Sequence, residues 1–126
     1  MWIVEQANLG ILIVDHNPLL LEGLCTLVRL QPDMEVVGTA ASASEAVRVF
    51  RQHRPRVVLM DLDLPDESGI RAIREIREID PAVCVLGLLT YEWDIAGPLA
   101  LRAGAQNCVT KDKLMRDLVG LIHECF

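Results

Sequence analysis

Short apolar runs alternate with longer stretches of helical period along most of the chain. Residues 10–14 (GILIV) form the first run, which ends at Asp15. Asn17 followed by Pro18 has the order of a helix N-cap and a proline at the first helical position, so a helix is predicted through Leu30, before Pro32. A second strand is predicted at 34–39. Ser42 with Glu45 has the capping-box pattern and opens a helix to about Arg54, ended by Pro55. Residues 57–60 (VVLM) are a continuous apolar run, as a central parallel strand shows when both faces are covered. A loop at 65–69 follows, and then Ile70, Ile73, Ile76 and Ile79 share one helical face. The pattern closes with a strand at 83–88, a short helix up to Ala103, a strand at 107–110 and a last helix from about Lys113. Gly97 and Pro98 are expected to shorten or distort the fourth helix, because proline lacks an amide donor and clashes with the preceding turn.

Five strand–helix units predict a parallel sheet covered by helices on both faces, since each parallel crossover is right-handed and needs its own helix. A doubly wound α/β fold follows, in one domain spanning 1–126. In such folds chemistry gathers at the carboxyl ends of the strands. That edge would carry Asp15 and His16 after the first strand and Asp61 and Asp63 after the third. Leu89 and Thr90 would follow the fourth strand, and Lys111 the fifth. Carboxylates and an ammonium converging on one rim are costly to assemble without a purpose.

Composition narrows the function classes. At 126 residues and 52% hydrophobic content the chain suits a single core. It has no apolar stretch of about 18 residues, the length a membrane span requires, and no secretory leader pattern. A soluble, cytoplasmic protein without a membrane partner is expected. Cys25, Cys84, Cys108 and Cys125 form no C-x-x-C pair, and three of them lie within apolar segments where a reduced thiol packs as a small hydrophobe, so reduced thiols are expected. A net charge of -6 repels phosphate backbones, so DNA binding would need another domain.

At its candidate site residues the sequence resembles the receiver domains of two-component response regulators, in the LuxR/NarL-type DNA-binding subfamily. The resemblance runs from ILIVDHNPLLLEGL through PDMEVVGTAASASEAV, VVLMDLDLP and RAGA to Lys111 and Asp112. It implies a (βα)5 flavodoxin-like fold with strand order 2-1-3-4-5. It also implies that Asp61 is the phosphoacceptor, taking a phosphoryl group from a sensor histidine kinase or a small acyl phosphate. Mg2+ would be held by Asp61, by the acid pair after the first strand, here Asp15, and by the backbone carbonyl of Asp63. Lys111 would pair with a phosphoryl oxygen. The chemistry is consistent: a carboxylate attacking a phosphoryl group needs cations to neutralise both partners. Further implied partners are DNA, only through an output domain absent from this chain, and a second copy of the domain. The copies would meet through the first and last helices or the fourth-helix face.

Four switch positions depart from the family pattern. His16 stands where a second acid is usual, and imidazole is a poor Mg2+ ligand, so weak or absent Mg2+ binding is expected. Leu89 stands at the usual Thr or Ser position after the fourth strand, with Thr90 one residue late. Cys108 replaces the usual fifth-strand aromatic. The fourth helix carries Gly97 and Pro98.

The chain is expected to be a regulatory module and not a turnover enzyme: a phosphorylatable receiver, or else an atypical receiver controlled by partner or ligand binding without phosphate. A third reading compares Asp61-Leu62-Asp63 with the DxD motif of haloacid-dehalogenase-type phosphatases, in which Asp61 would be the nucleophile and Asp63 the general acid. The plainer readings are that Asp61 and Asp63 are solvated strand-end residues, that His16 is an inert surface residue, that His53 and His123 lie on helix surfaces, and that Leu21 is an exposed leucine of no consequence.

Overall fold

The computed structural model describes residues 8–66 and 68–126. Residues 1–7 and Glu67, which the expected 1–126 domain and the 65–69 loop include, lie outside the described residues. Five strands, β1 (Leu9–Val14), β2 (Met34–Ala40), β3 (Val57–Asp61), β4 (Cys84–Leu89) and β5 (Asn107–Thr110), form one sheet in the order β2-β1-β3-β4-β5. All pairings are parallel. The intervening helices are α1 (Pro18–Arg29), α2 (Ala43–His53), α3 (Gly69–Ile79), α4 (Ala96–Ala103) and α5 (Lys111–Glu124). This is the doubly wound fold and strand order that the sequence pattern and the resemblance led us to expect.

Strand alternation builds two cores. Leu12, Val14, Val58 and Met60 face Phe50, Ile73, Ile76 and Ala100, so α2, α3 and α4 cover one side of the sheet. Ile11, Ile13, Val57 and Leu59 face Leu24, Val28, Leu114, Leu118 and Ile122, so α1 and α5 cover the other. Side chains two apart on a strand share a face, and this is why the central strands read as uninterrupted apolar runs. The isoleucine face of α3 divides as expected: Ile73 and Ile76 are buried, with Ile70 and Ile79 half-buried beside them.

The helix starts follow the sequence signals. The Asn17 side chain accepts from the N–H groups of Leu19 and Leu20, and Ser42 accepts from Glu45 N–H. α4 has eight residues and is shortened as expected, but Pro98 lies in its first turn, where a missing N–H leaves no intrahelical bond unmade. The aspartate ahead of it caps the turn, Ala96 N–H donating to Asp94 Oδ1 at 2.9 Å. Gly104 ends the helix with a φ of 121°, a conformation that side chains rarely adopt. Arg77 then donates to the carbonyls of Pro81, Val83 and Gly104, fixing the approach to β5.

A second cap has no sequence signal. Asp66, on the loop after β3, accepts from Ala43 N–H at 2.8 Å and Ser44 N–H at 3.1 Å, at the first turn of α2. These bonds pull its carboxyl down to about 2 from an ordinary 3.8. Because the folded-state value is the lower one, the stabilisation is complete above the ordinary value and is lost as pH falls toward about 2. Asp66→Ala is expected to melt below the wild type at neutral pH, with the two midpoints converging across that acid window. Parallel melting curves over a pH series check this, and a midpoint gap that survives at the acid end would contradict it.

One expectation is corrected. Cys84, at the start of β4, and Cys125, just beyond α5, form a disulfide, while Cys25 and Cys108 are free. Cys84 is buried in the core and Cys125 packs against it, and the fold brings the C-terminal end of α5 against the amino end of β4, within bonding reach.

Candidate functional site

β1 and β3 are neighbours, and the pairing of Val14 with Met60 brings the residues that follow them, Asp15 and Asp61, side by side at the carboxyl edge. Both are fully buried. Each carboxylate is oriented by the backbone two residues on: Asn17 N–H donates to Asp15 Oδ1 at 2.8 Å, and Asp63 N–H to Asp61 Oδ1 at 3.0 Å. The strand ends thus aim and hold the two acids before any ligand arrives.

Lys111 is the first residue of α5, so the last helix starts two residues earlier than the sequence pattern predicted. Thr110, still extended at the end of β5, is its N-cap, and Asp112 places an acid in the first turn, where the helix dipole favours one. The Lys111 ammonium lies 3.1 Å from Asp15 Oδ2 and 3.3 Å from Asp61 Oδ1, bridging the pair on one side. On the other side His16 Nδ1 lies 2.6 Å from Asp61 Oδ2 and 3.9 Å from Asp15 Oδ1. With Asp61 as a carboxylate, which has no hydrogen to give, Nδ1 would be the donor in this contact. One ammonium does not balance two buried carboxylates, and burying an uncompensated charge is expensive. His16 supplies the second donor, so it is a component of the site and not the inert surface histidine of the plainer reading.

The Asp61 carboxylate is therefore engaged on both oxygens. Oδ1 takes Asp63 N–H and Lys111, and Oδ2 takes His16 Nδ1 and, at 3.4 Å, His16 N–H. Asp63 contributes its backbone; its own carboxylate is not among the clustered ligand atoms of Asp15, His16 and Asp61, which lie within 4.8 Å of one another. Mg2+ demands near-octahedral oxygen ligands. The side-chain donors here are two carboxylates and an imidazole nitrogen that closes on Asp61 Oδ2, and that nitrogen suits the ion poorly.

Next to these groups the switch positions are apolar. Leu89 is the last residue of β4 and is buried, while Thr90 is exposed beyond it. Leu89 packs toward Gly97 on α4, and Cys108 Sγ lies 3.7 Å from the Gly97 carbonyl. Too small to fill an aromatic's place, Cys108 lines a cleft of about 450 Å³ between α4 and α5, together with Leu89, Pro98, Leu101 and Leu121. Burial pushes its thiol up from the ordinary value, so it is a poor nucleophile. Gly69 opens α3 so close to the Asp61 backbone that a Cβ there would meet the Asp61 carbonyl at 2.1 Å. Outside the site, His53 is exposed, His123 is exposed and pairs with Asp33 at 2.9 Å, and Leu21 is half-buried against the core.

A five-stranded sheet in this order, with two buried acids and a lysine gathered at its carboxyl edge, defines a flavodoxin-like receiver architecture. Residues 11–123 match the response regulator receiver domain family. The chain is similar to the nitrate/nitrite response regulator protein NarL of Escherichia coli strain K12, 28% identical over 122 residues, covering 95% of this chain and 56% of NarL. It is similar also to the transcriptional regulatory protein YhcZ of Bacillus subtilis, 37% identical over 109 residues, covering 86% of this chain and 51% of YhcZ. Among solved structures, a LuxR-family two-component response regulator from Aurantimonas sp. SI85-9A1 superposes with a TM-score of 0.87 at 36% identity, covering 94% of this chain and 84% of that one. The chain belongs to the response regulator receiver domain family, a regulatory module of two-component signalling and not a turnover enzyme. It spans about half the length of the curated relatives it matches. Membership in this family replaces the phosphatase reading, which needed Asp63 as an acid beside the nucleophile.

Proposed function

We propose that the domain is the signal-receiving half of a transcription regulator and that Asp61 is its phosphoacceptor. The observation that carries this reading is the pair of buried carboxylates bridged by Lys111 at 3.1 and 3.3 Å. An acid fixed at a strand end, with an ammonium set to meet incoming phosphoryl oxygens, is the arrangement a carboxylate nucleophile requires. In this reading one Asp61 oxygen attacks phosphorus while the leaving group departs on the opposite side, and Lys111 neutralises charge on the transferred group. The donor of the phosphoryl group is a sensor histidine kinase, and the readout is DNA binding by an output domain outside this chain. Among the described residues no helix is long and apolar enough to cross a membrane. Intact-mass spectrometry after incubation with acetyl phosphate tests the proposal. The expected result is one added phosphoryl group per chain, absent in Asp61→Asn; a wild type that takes up none would overturn the proposal. Uptake that persists in that variant, or repeated release of phosphate, would overturn it.

A second reading is favoured by the contact of His16 with Asp61 and by the Leu89–Gly97–Cys108 packing. Control would then come from a partner or ligand, with the α4–α5 cleft as its place, because Leu89 and Cys108 stand where the family usually carries a hydroxyl and an aromatic rotor. A homodimer through α1 and α5 is consistent with Leu19 and Met115, which are 81% and 49% exposed beside one another on that face. A mass that stays monomeric in light scattering across a wide concentration range would rule the dimer out.

A further inference from the structure

We infer that Cys84 and Cys125 form a thiol–disulfide exchange site, opened by a dithiol reductant and closed by a small disulfide, whose state sets how firmly the last turn of α5 is held against β4. The bond links the first residue of β4 to the residue that follows α5. It lies at the amino edge of the sheet, opposite the acids of the candidate site, so the inference does not depend on phosphoryl transfer at Asp61.

The two cysteines have unequal surroundings. Cys84 is 4% exposed and fixed in the sheet: it pairs with Val57 of β3, and its N–H donates to the Arg56 carbonyl at 3.0 Å. Cys125 is half-buried at a helix end, its N–H donating to the Ile122 carbonyl at 3.1 Å. Cys84 is therefore the anchor, and the approach open to a reductant is from the Cys125 side. One thiolate of the dithiol attacks Cys125 Sγ, the bond to Cys84 breaks, and Cys84 leaves as a thiolate that takes a proton. The second thiol of the reductant then displaces Cys125, which takes a proton in turn. The protein has gained two electrons and the reductant has become a disulfide; a small disulfide such as oxidised glutathione reverses both steps.

The fold does not need this bond to form. Both faces of the sheet carry full cores, and Leu114, Leu118 and Ile122 dock α5 without it. The last turn of the helix has weaker holds of its own. Gly120, exposed in the helix interior, disfavours helix. The His123–Asp33 pair is exposed on both sides, and such pairs contribute little. Cutting the bond therefore loosens the turn while the buried leucines keep the rest of α5 in place. The released thiol also has an acceptor, since Cys125 Sγ lies 3.5 Å from the Leu121 carbonyl oxygen. Cys25 and Cys108 compete poorly for reoxidation: burial pushes both thiols above the ordinary value, and the thiolate is the form that exchanges.

The test takes the oxidised wild type through dithiothreitol and back with oxidised glutathione, well below its melting range, with thiols trapped by alkylation after an acid quench and located by peptide mass spectrometry. Cys84 and Cys125 are expected to become alkylated together after reduction, with near-ultraviolet circular dichroism still native, and oxidised glutathione is expected to restore the same crosslink. On reduction the amides of residues 121–124 should exchange hydrogen about tenfold faster or more, by local opening of the helix end, over labelling times in which the β4 amides stay protected in both states. Cys125→Ser should show the fast exchange with or without reductant. A bond that dithiothreitol leaves intact in the native protein, loss of the native spectrum on reduction, reoxidation onto Cys25 or Cys108, or residues 121–124 equally protected in both states would each overturn the inference.

Discussion

Replacing Cys84 with alanine is expected to lower the stability of the oxidised domain by on the order of 4 kcal/mol. The bond to Cys125 closes a loop across a sequence separation of 41, and chain-entropy arguments assign about that much to a loop of this size. For a domain of this length the thermal midpoint should fall by roughly 10–20 °C. Alanine also removes a buried sulfur from the edge of the core, so the variant alone does not isolate the bond. The decisive comparison is wild type with and without dithiothreitol, which breaks the bond and leaves both sulfurs in place. A large drop on reduction of the wild type, and none on reduction of Cys84→Ala, is the expected pattern. A wild-type melt indifferent to reductant would contradict it.

The second large effect is expected at His16. Its Nδ1 closes on Asp61 Oδ2 at 2.6 Å, and a hydrogen bond to a charged group is worth about 1.5–3 kcal/mol. A nucleophile held in such a bond must give it up to attack, so removing the bond should accelerate labelling by roughly 10- to 100-fold. His16→Asp removes the imidazole and restores the pair of acids that receivers usually carry. With acetyl phosphate and Mg2+ present, it is expected to label Asp61 far faster than the wild type, with Asp61→Asn as the blank. Equal labelling rates in wild type and His16→Asp would mean that the imidazole does not restrain Asp61.

The sheet and its edge were legible because they rest on local signals. Apolar runs ending at Asp15 and Asp61, caps at Asn17 and Ser42, and the isoleucine face of α3 each fix an element without knowledge of the others. Lys111 was legible by its place after the fifth strand, although the start of α5 was not, because an extended Thr110 passes directly into helix. What remained hidden depends on contacts distant in sequence. Nothing near Asp66 indicates that it caps a helix 23 residues earlier. Cys84 and Cys125 have no motif, and only the docking of α5 along the sheet brings them together. His16 was visible as a departure, but its role was not. A residue adjacent to one acid turns out to bind the other, 45 positions away, because β1 and β3 are neighbours in the sheet.

The most direct measurement is the imidazole nitrogen spectrum of His16, by long-range proton–nitrogen correlation at neutral pH in the metal-free wild type and in Asp61→Asn. The expected result is hydrogen on Nδ1 in the wild type, held there by the Asp61 carboxylate, with that preference lost in Asp61→Asn. A His16 ring carrying hydrogen only on Nε2, and unchanged between the two proteins, would mean that the histidine does not engage Asp61, and the account of a restrained phosphoacceptor would fall.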